Sequence, residues 1–154
     1  MKEGERNTNF YILKKGIWRA YYMIDGTESS LWFAGTGEIG FSSWGYVNNE
    51  ISQVNIESVN KSTAYCIAKP DLEELFNSSI ELSNFGRKIF EQEILFIDSY
   101  TLAYGTPSAK ERYLTLMEEN PELLQYVPLK HLASYLYITP QSLSRIRAGL
   151  KRRK

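Results

Sequence analysis

The sequence predicts an α+β chain with an antiparallel β-barrel, then one long helix, then a pair of short helices. Short apolar runs separated by turn residues extend from Phe10 to about Lys69. From Ser79 onward the apolar residues recur at steps of three and four, the period of a helix. Residues 123–154 contain seven Lys or Arg and no Asp or Glu. We therefore expect three units, at residues 1–77, 78–105 and 106–154.

The first unit is predicted to consist of short, regularly spaced strands. The apolar runs lie at residues 10–13, 17–23, 30–33, 54–59 and 64–68. Asp25-Gly26 follows the second run and suits a type I′ hairpin, which needs two positive φ angles. This spacing favours an antiparallel barrel or sandwich. The only cysteine, Cys66, has apolar neighbours and is predicted to be buried.

The period changes after the last strand. Pro70 is expected at the first position of a short helix over residues 71–76. The long helix that follows has two apolar stripes, and one barrel cannot cover both. We therefore expect a homodimer through paired helices, with Phe85, Ile89, Phe96 and Tyr100 as its candidate residues. The alternative is one helix crossing between two domains of a monomer.

Punctuating residues divide the last unit. Gly105 ends the long helix, and Thr106 or Ser108 can cap a helix that runs to about Glu119. Residues 129–136 form one amphipathic helix, and a tight turn at Tyr137 leads to Thr139 as N-cap and Pro140 as first residue of a second. This pattern is typical of a helix-turn-helix.

The charge distribution indicates a nucleic-acid partner. The 18 basic and 18 acidic residues cancel overall, yet residues 123–154 carry seven positive charges without a negative one. Such segregation is typical of a DNA-binding end. The predicted base-contacting residues are Gln141, Ser142 and Arg145 on the second helix. The predicted phosphate contacts are Lys130, Thr139, Arg147, Lys151, Arg152 and Arg153.

Other chemistry has little support in the sequence. A single His and a single Cys cannot complete a His- or thiolate-based metal site, and no glycine-rich phosphate loop is present. His131 is expected to be a polar or phosphate-facing side chain rather than a catalytic one. We expect a cytoplasmic protein that is not an enzyme and has no membrane partner or cofactor.

Two groups of segments carry a family resemblance. The first comprises residues 108–114, 121–123 and 127–147, and the second comprises residues 3–5, 11–16, 25–26 and 37–41. The first group resembles the C-terminal part of the cyclic-AMP receptor protein and fumarate-nitrate regulator superfamily of bacterial transcription regulators, in particular its short-tailed Bacteroidetes branch. The second resembles successive pieces of that superfamily's cyclic-nucleotide-binding barrel.

The resemblance implies a dimeric regulator of transcription that binds double-stranded DNA, with RNA polymerase and a small-molecule effector as further partners. It implies an effector pocket at Gly37, Glu38, Ile39, Ser52 and Gln53. Ser52 and Gln53 stand where cyclic-AMP binders have an Arg followed by Ser or Thr, so cyclic-AMP binding is not expected. Tyr137 stands where a Gly is common. An N-terminally shortened barrel and a helix-turn-helix without a full wing are also expected.

The sequence leaves two rival functions open. One is an effector-binding module whose helix pair docks a protein rather than DNA. The other is a dimer that only sequesters longer paralogues. Salt-dependent binding to DNA separates the first rival from the DNA-binding hypothesis, because phosphate contacts release counterions.

Overall fold

The computed structural model describes residues 1–105 and 107–151, with the backbone alone at 103, 104 and 151. The proposed cap Thr106 and residues Arg152, Arg153 and Lys154 therefore lie outside the described residues. In the described part, no helix is both long and apolar enough to span a membrane.

Six strands form the N-terminal half. They are β1 (Phe10–Lys15), β2 (Trp18–Ile24), β3 (Thr27–Ala34), β4 (Ile39–Gly40), β5 (Asn55–Ser58) and β6 (Thr63–Ile67). They pair in two antiparallel three-stranded sheets, ordered β4-β1-β6 and β3-β2-β5. The predicted α+β class and antiparallel pairing are confirmed, and the two sheets do not close into one barrel within the described residues.

The β2–β3 hairpin has the predicted turn. Asp25 and Gly26 have φ angles of 48° and 76°, so both central residues are left-handed as a type I′ turn requires. Ile24 pairs with Thr27 at the end of the ladder. This hairpin carries the face on which the C-terminal helices later pack.

Seven helices complete the chain in the described residues. They are α1 (Ser43–Asn48), α2 (Lys69–Ser78), α3 (Ile80–Gly105), α4 (Ala109–Glu119), α5 (Pro121–Tyr126), α6 (Leu129–Tyr135) and α7 (Pro140–Lys151). The capping prediction for Ser108 is confirmed: its Oγ accepts from the Glu111 backbone N–H, and the Glu111 carboxylate accepts from the Ser108 N–H. This reciprocal capping box determines where α4 begins.

Two local predictions are wrong. Cys66 is exposed, because β6 is the edge strand of its sheet and pairs only with β1. The short helix begins at Lys69 rather than after Pro70 and extends to Ser78. Proline lacks an amide hydrogen, and the whole first turn of a helix tolerates that loss.

The two sheets and α1 together form a unit that is called the barrel although it is not closed. The long helix α3 packs against this barrel through part of its surface. Phe90 contacts a cluster of aromatic rings, with centroid separations of 6.2 Å to Phe10, 6.3 Å to Phe41 and 6.0 Å to Tyr46. At Gly86 the helix meets α2 so closely that an added Cβ would lie 2.5 Å from the Phe76 ring. Glycine therefore permits the crossing of α2 and α3.

A larger core joins the C-terminal helices to the barrel. Leu116, Leu132, Leu136 and Leu143 are essentially fully buried in it. Barrel residues, including Phe33, belong to the same cluster. The helix pair is thus anchored on the barrel by a continuous apolar contact.

Candidate functional site

The turn between α6 and α7 is held by a residue from a third helix. Arg112 of α4 donates from Nε and Nη2 to the Leu136 carbonyl oxygen at 3.0 and 2.9 Å. Tyr137 follows with φ of 55°, so the position often filled by Gly is left-handed here too. The sequence did not indicate this role of Arg112, although the residue lies in the motif at 108–114.

The second helix of the pair presents two distinct faces. Leu143 is fully buried, while Gln141 and Arg145 are exposed one helical turn apart. Ser142 is half-buried between these two faces of α7, and its backbone N–H donates to Thr139 Oγ1 at 3.2 Å. Thr139 Oγ1 in turn donates to Ser142 Oγ at 3.0 Å, which leaves the Ser142 hydroxyl proton available. The structure therefore brings Gln141 and Arg145 together and gives Ser142 a share in the N-cap.

The predicted phosphate contacts surround this face unevenly. Lys130 is exposed in the first turn of α6, and Arg147 is half-buried on α7. Lys151 ends α7, but its side chain, like Arg152 and Arg153, lies outside the described residues.

The first helix of the pair, α6, is docked on strand β3. The Ser30 N–H donates to Ser134 Oγ at 3.2 Å, and the Ser30 hydroxyl donates to the His131 carbonyl oxygen at 3.2 Å. The rings of Phe33 and Tyr135 pack edge to face at 5.1 Å. The position of α7 is therefore tied to the barrel through α6.

His131, expected as a polar or phosphate-facing side chain, is a buried polar group rather than a phosphate-facing one. It is buried, with Nδ1 3.5 Å from Glu28 Oε2, because α6 turns this side toward β3. Glu28 Oε2 also accepts from Arg19 Nη2 at 2.7 Å, and Glu57 Oε1 lies 3.2 Å from Arg19 Nε. Arg19 is fully buried, so these carboxylates offset the cost of burying its charge.

A cavity of about 780 Å³ lies between the barrel and α3. Gly37, Glu38 and Ile39 line it, as the resemblance implied. The two other predicted pocket residues do not line it: Ser52 is buried and donates to the Val54 carbonyl oxygen at 2.8 Å, and Gln53 is exposed. Aromatic side chains form much of the remaining wall, namely Trp32, Phe33, Phe41, Trp44, Phe85, Phe96 and Tyr100.

The charged groups of the cavity wall are all acidic. Glu38 Oε2 accepts from the Gly35 N–H at 2.6 Å, and Glu93 of α3 lines the same cavity. Burial raises the pKa of Glu93 above its usual value, and the Glu38 carboxylate raises this pKa further. Lys, Arg and His do not occur among the described lining residues. The sequence signal for this site was Glu93 itself, which interrupts an apolar stripe.

The family follows from a comparison with known domains. Residues 1–79, about half of the chain, match the family model of the cyclic nucleotide-binding domain. The chain belongs to the cyclic nucleotide-binding domain family. No curated protein matches its sequence significantly.

Solved structures show the same fold over nearly the whole chain of this family member. FixK2 from Bradyrhizobium japonicum matches with a TM-score of 0.82 and 18% identity, covering 99% of this chain and 79% of FixK2. TTHB099, a CRP-family transcriptional regulator from Thermus thermophilus, matches with a TM-score of 0.77, 17% identity and coverages of 99% and 80%. The c-di-GMP-responsive regulator CLP from Xanthomonas campestris matches with a TM-score of 0.72 and 15% identity, covering 99% of this chain and 81% of CLP. The chain thus has the fold of CRP/FNR-type transcription regulators.

This member of the cyclic nucleotide-binding domain family departs from cyclic-nucleotide chemistry in its cavity. A cyclic phosphate needs a cation or several convergent donors when it is buried. The described lining residues provide two carboxylates and no cation, so a cyclic phosphate would lack its strongest contact and would meet two like charges. Within the described residues, no cluster of three or more His, Cys, Asp or Glu could hold a metal ion.

Proposed function

We propose that the chain is a dimeric, sequence-specific DNA-binding transcription regulator controlled by a small effector in the barrel cavity. Residues 1–77 would sense the effector, residues 78–105 would pair two chains, and residues 106–154 would bind DNA. Family membership and the fold of CRP/FNR-type regulators support this division.

The exposed face of α7 is the observation that carries the DNA-binding proposal. Gln141 and Arg145 lie side by side in its first turns, on a helix whose other face is buried through Leu143. An Arg side chain suits guanine and a Gln side chain suits adenine by bidentate hydrogen bonding in the major groove. Arg112 and the docking of α6 hold this helix rigidly, as base readout requires.

The DNA-binding test compares Arg145→Ala with Arg6→Ala, which removes an equally exposed Arg from the barrel end. A target duplex is first selected from random sequences with the wild-type protein. Arg145→Ala should weaken binding to that duplex by about 1–3 kcal/mol and relax preference at one base pair. Arg6→Ala should leave both unchanged. If Arg145→Ala bound both the selected and the random duplexes with wild-type affinity, the protein-docking alternative would be favoured.

The basic end is proposed to contact phosphates rather than bases. Removing residues 151–154 should weaken all duplexes about equally and flatten the dependence of affinity on salt by several units of log–log slope. An affinity loss confined to the selected duplex would contradict this assignment.

The uncovered face of α3 supports dimerisation. Phe85 and Phe96 are 60% and 47% exposed, and Ile89 lies between them on the same side. All three residues also line the cavity, so this face of α3 serves both the cavity and the proposed seam. These residues continue a spacing of three and four that is typical of paired helices. Tyr100 also contacts the chain's own helix pair, with its ring 5.3 Å from Tyr135 and its hydroxyl 3.2 Å from that of Tyr137.

The dimer test is Ile89→Lys combined with Phe96→Lys. Two charges on each side of the seam should give a monomer in sedimentation. Because Ile89 and Phe96 also line the cavity, the oligomeric state and not the DNA affinity decides the test. Asn84→Lys combined with Asp98→Lys places the same two side chains on a polar face of α3 and should leave the dimer intact. A wild-type protein that is monomeric at micromolar concentration would contradict the proposed dimer.

Coupling between cavity and helix pair is proposed to pass through Tyr135. Phe33 and Tyr100 both line the cavity, and both rings pack against Tyr135 of α6. A ligand that moves either ring would shift the population of α6–α7 positions. Tyr135→Leu should therefore reduce the effect of a bound ligand on DNA affinity while leaving ligand binding in place. An undiminished ligand effect, measured by DNA titration with and without ligand, would contradict this route.

A further inference from the structure

The size and shape of the cavity between the barrel and α3 suit a small organic molecule. Its volume of about 780 Å³ lies within the roughly 300–1,000 Å³ range of ligand pockets. The wall includes residues of five elements, with Ile12 on β1, Trp32 on β3, Ile39 on β4, Trp44 on α1 and Phe96 on α3. A ligand held here would therefore contact both the barrel and the long helix.

The charges at this cavity select the sign of its ligand. Glu38 is contributed by the loop before β4 and Glu93 by α3, so the two carboxylates come from separate elements. The described lining residues include no cation to balance them. Burial is the main cause of the raised pKa of Glu93, and the Glu38 carboxylate raises this pKa further, which is consistent with two like charges at one cavity.

An organic cation resolves this imbalance. A protonated amine offers hydrogen bonds to both carboxylates, and the faces of the indole rings attract an ammonium group further. An apolar body would cover the aromatic wall. A carboxylate or phosphate ligand would instead meet two negative charges without a partner.

We propose that this cavity binds a small amine with an apolar, aromatic body, its ammonium directed to Glu38 and Glu93 and its ring against Trp32 and Trp44. The inference rests on the proposed role of the cavity as the effector site. It names the ligand class of that site and is separable from DNA binding.

Calorimetry on the full chain with three probes tests the charge preference. 2-Phenylethylamine, 2-phenylethanol and phenylacetate share one aromatic body and carry a positive, zero and negative charge. The amine should bind at least about tenfold more tightly than phenylacetate, with the alcohol between them. Cyclic AMP should bind more weakly than the amine. Tighter binding of phenylacetate, the alcohol or cyclic AMP, or no binding of the amine up to millimolar concentration, would overturn the proposal.

Variants of the carboxylates test the site itself. Glu93→Gln and Glu38→Gln should each weaken the amine by about tenfold and leave the alcohol unchanged. Glu91→Gln, two residues away on the exposed side of α3, should leave both probes unchanged. Since the two carboxylates lie on different elements, either variant suffices if the other does not fold. Equal amine affinity in a folded Gln variant and wild type would overturn the assignment.

The pH dependence supplies an independent readout. Because Glu93 stays protonated to a higher pH than an ordinary Glu carboxyl, amine binding should strengthen as pH rises through its raised pKa. Glu93→Gln should remove that rise, and its persistence in this variant would contradict the role of Glu93. DNA affinity measured on the same samples separates the two proposals. Binding of the selected duplex without binding of the amine would contradict only the proposed ligand class. Binding of the amine without binding of DNA would contradict only the proposed regulator function.

Discussion

Two helical regions of this molecule hold similar apolar side chains in opposite environments. Leu132, Leu136 and Leu143 of the helix pair are at most 1% exposed. Ile94 and Leu102 of α3 are 63% and 75% exposed. The helix pair lies against β3 and α4, whereas the described residues leave much of α3 uncovered.

The contrast shows which part of the molecule can be stable by itself and which part calls for a partner. Burial of apolar surface stabilises a fold by about 25 cal/mol per Å². The helix pair gains this within one chain. The long helix gains much less of it within one chain, so the exposed rings of Phe85 and Phe96 are where the proposed association of two chains would add stability.

The largest expected effect on stability comes from the buried helix pair. Leu143→Ala should lower the free energy of unfolding by about 2–5 kcal/mol, because it leaves a cavity in the shared core. Leu102→Ala removes the same atoms from an exposed position and should cost less than about 0.5 kcal/mol. Urea unfolding of both variants and of the wild type measures the two losses of free energy of unfolding. Equal losses would mean that the two regions are not differently packed.

A smaller effect is expected where α4 supports the helix pair. Arg112→Ala should cost roughly 1.5–3 kcal/mol, because it removes charge-assisted hydrogen bonds to the Leu136 carbonyl. Lys110→Ala, an exposed neighbour on the same helix, provides the control and should be nearly neutral. Thermal unfolding would show the difference, and a neutral Arg112→Ala would mean that the turn holds without this contact.

The capping box of α4 should contribute about 1 kcal/mol. Ser108→Ala removes the side-chain acceptor for the Glu111 N–H. Ser144→Ala changes the same side chain on the exposed face of α7 and should be within about 0.5 kcal/mol of wild type in stability. If both changes proved equal in chemical unfolding, the cap would not be a determinant of stability here.

The smallest expected effect concerns pH and the inner side of α3. The raised pKa of Glu93 means that folding disfavours its charged form, so stability declines as pH rises from about 4.5, the ordinary Glu value, through the raised value. Glu93→Gln should match wild type below this window and be more stable above it. Unfolding curves between pH 4 and 8 that stay parallel for wild type and Glu93→Gln would contradict the shift.

Local patterns predicted most of the elements because their causes are local. Asp25-Gly26 suits positive φ, Ser108 and Thr139 cap helices through bonds to residues three positions on, and apolar periodicity marks which face of a helix is buried. The exposure of Gln141 and Arg145 followed from the same periodicity. Each of these features is set by residues within a few positions of one another.

The candidate sites depended more heavily on tertiary contacts. Glu38 and Glu93 are 55 positions apart, Ser30 and Ser134 are 104 apart, and no periodicity links such pairs. For the same reason the sequence did not indicate that Ser52 lies outside the cavity lining, that Cys66 is exposed or that His131 faces β3, because sheet order and helix docking decide these positions.

The sequence by itself determined most of the strands and helices, although not β4, α1 or α5, and also the charge of the C-terminal end and the polar face of α7. These features depend on side-chain chemistry and short-range backbone geometry. The tertiary structure decided which helix faces are covered, which acidic side chains meet in the cavity and how α6 is anchored on β3. These outcomes depend on long-range packing, in which loop paths and the shapes of neighbouring elements select among many contacts that local preferences leave open.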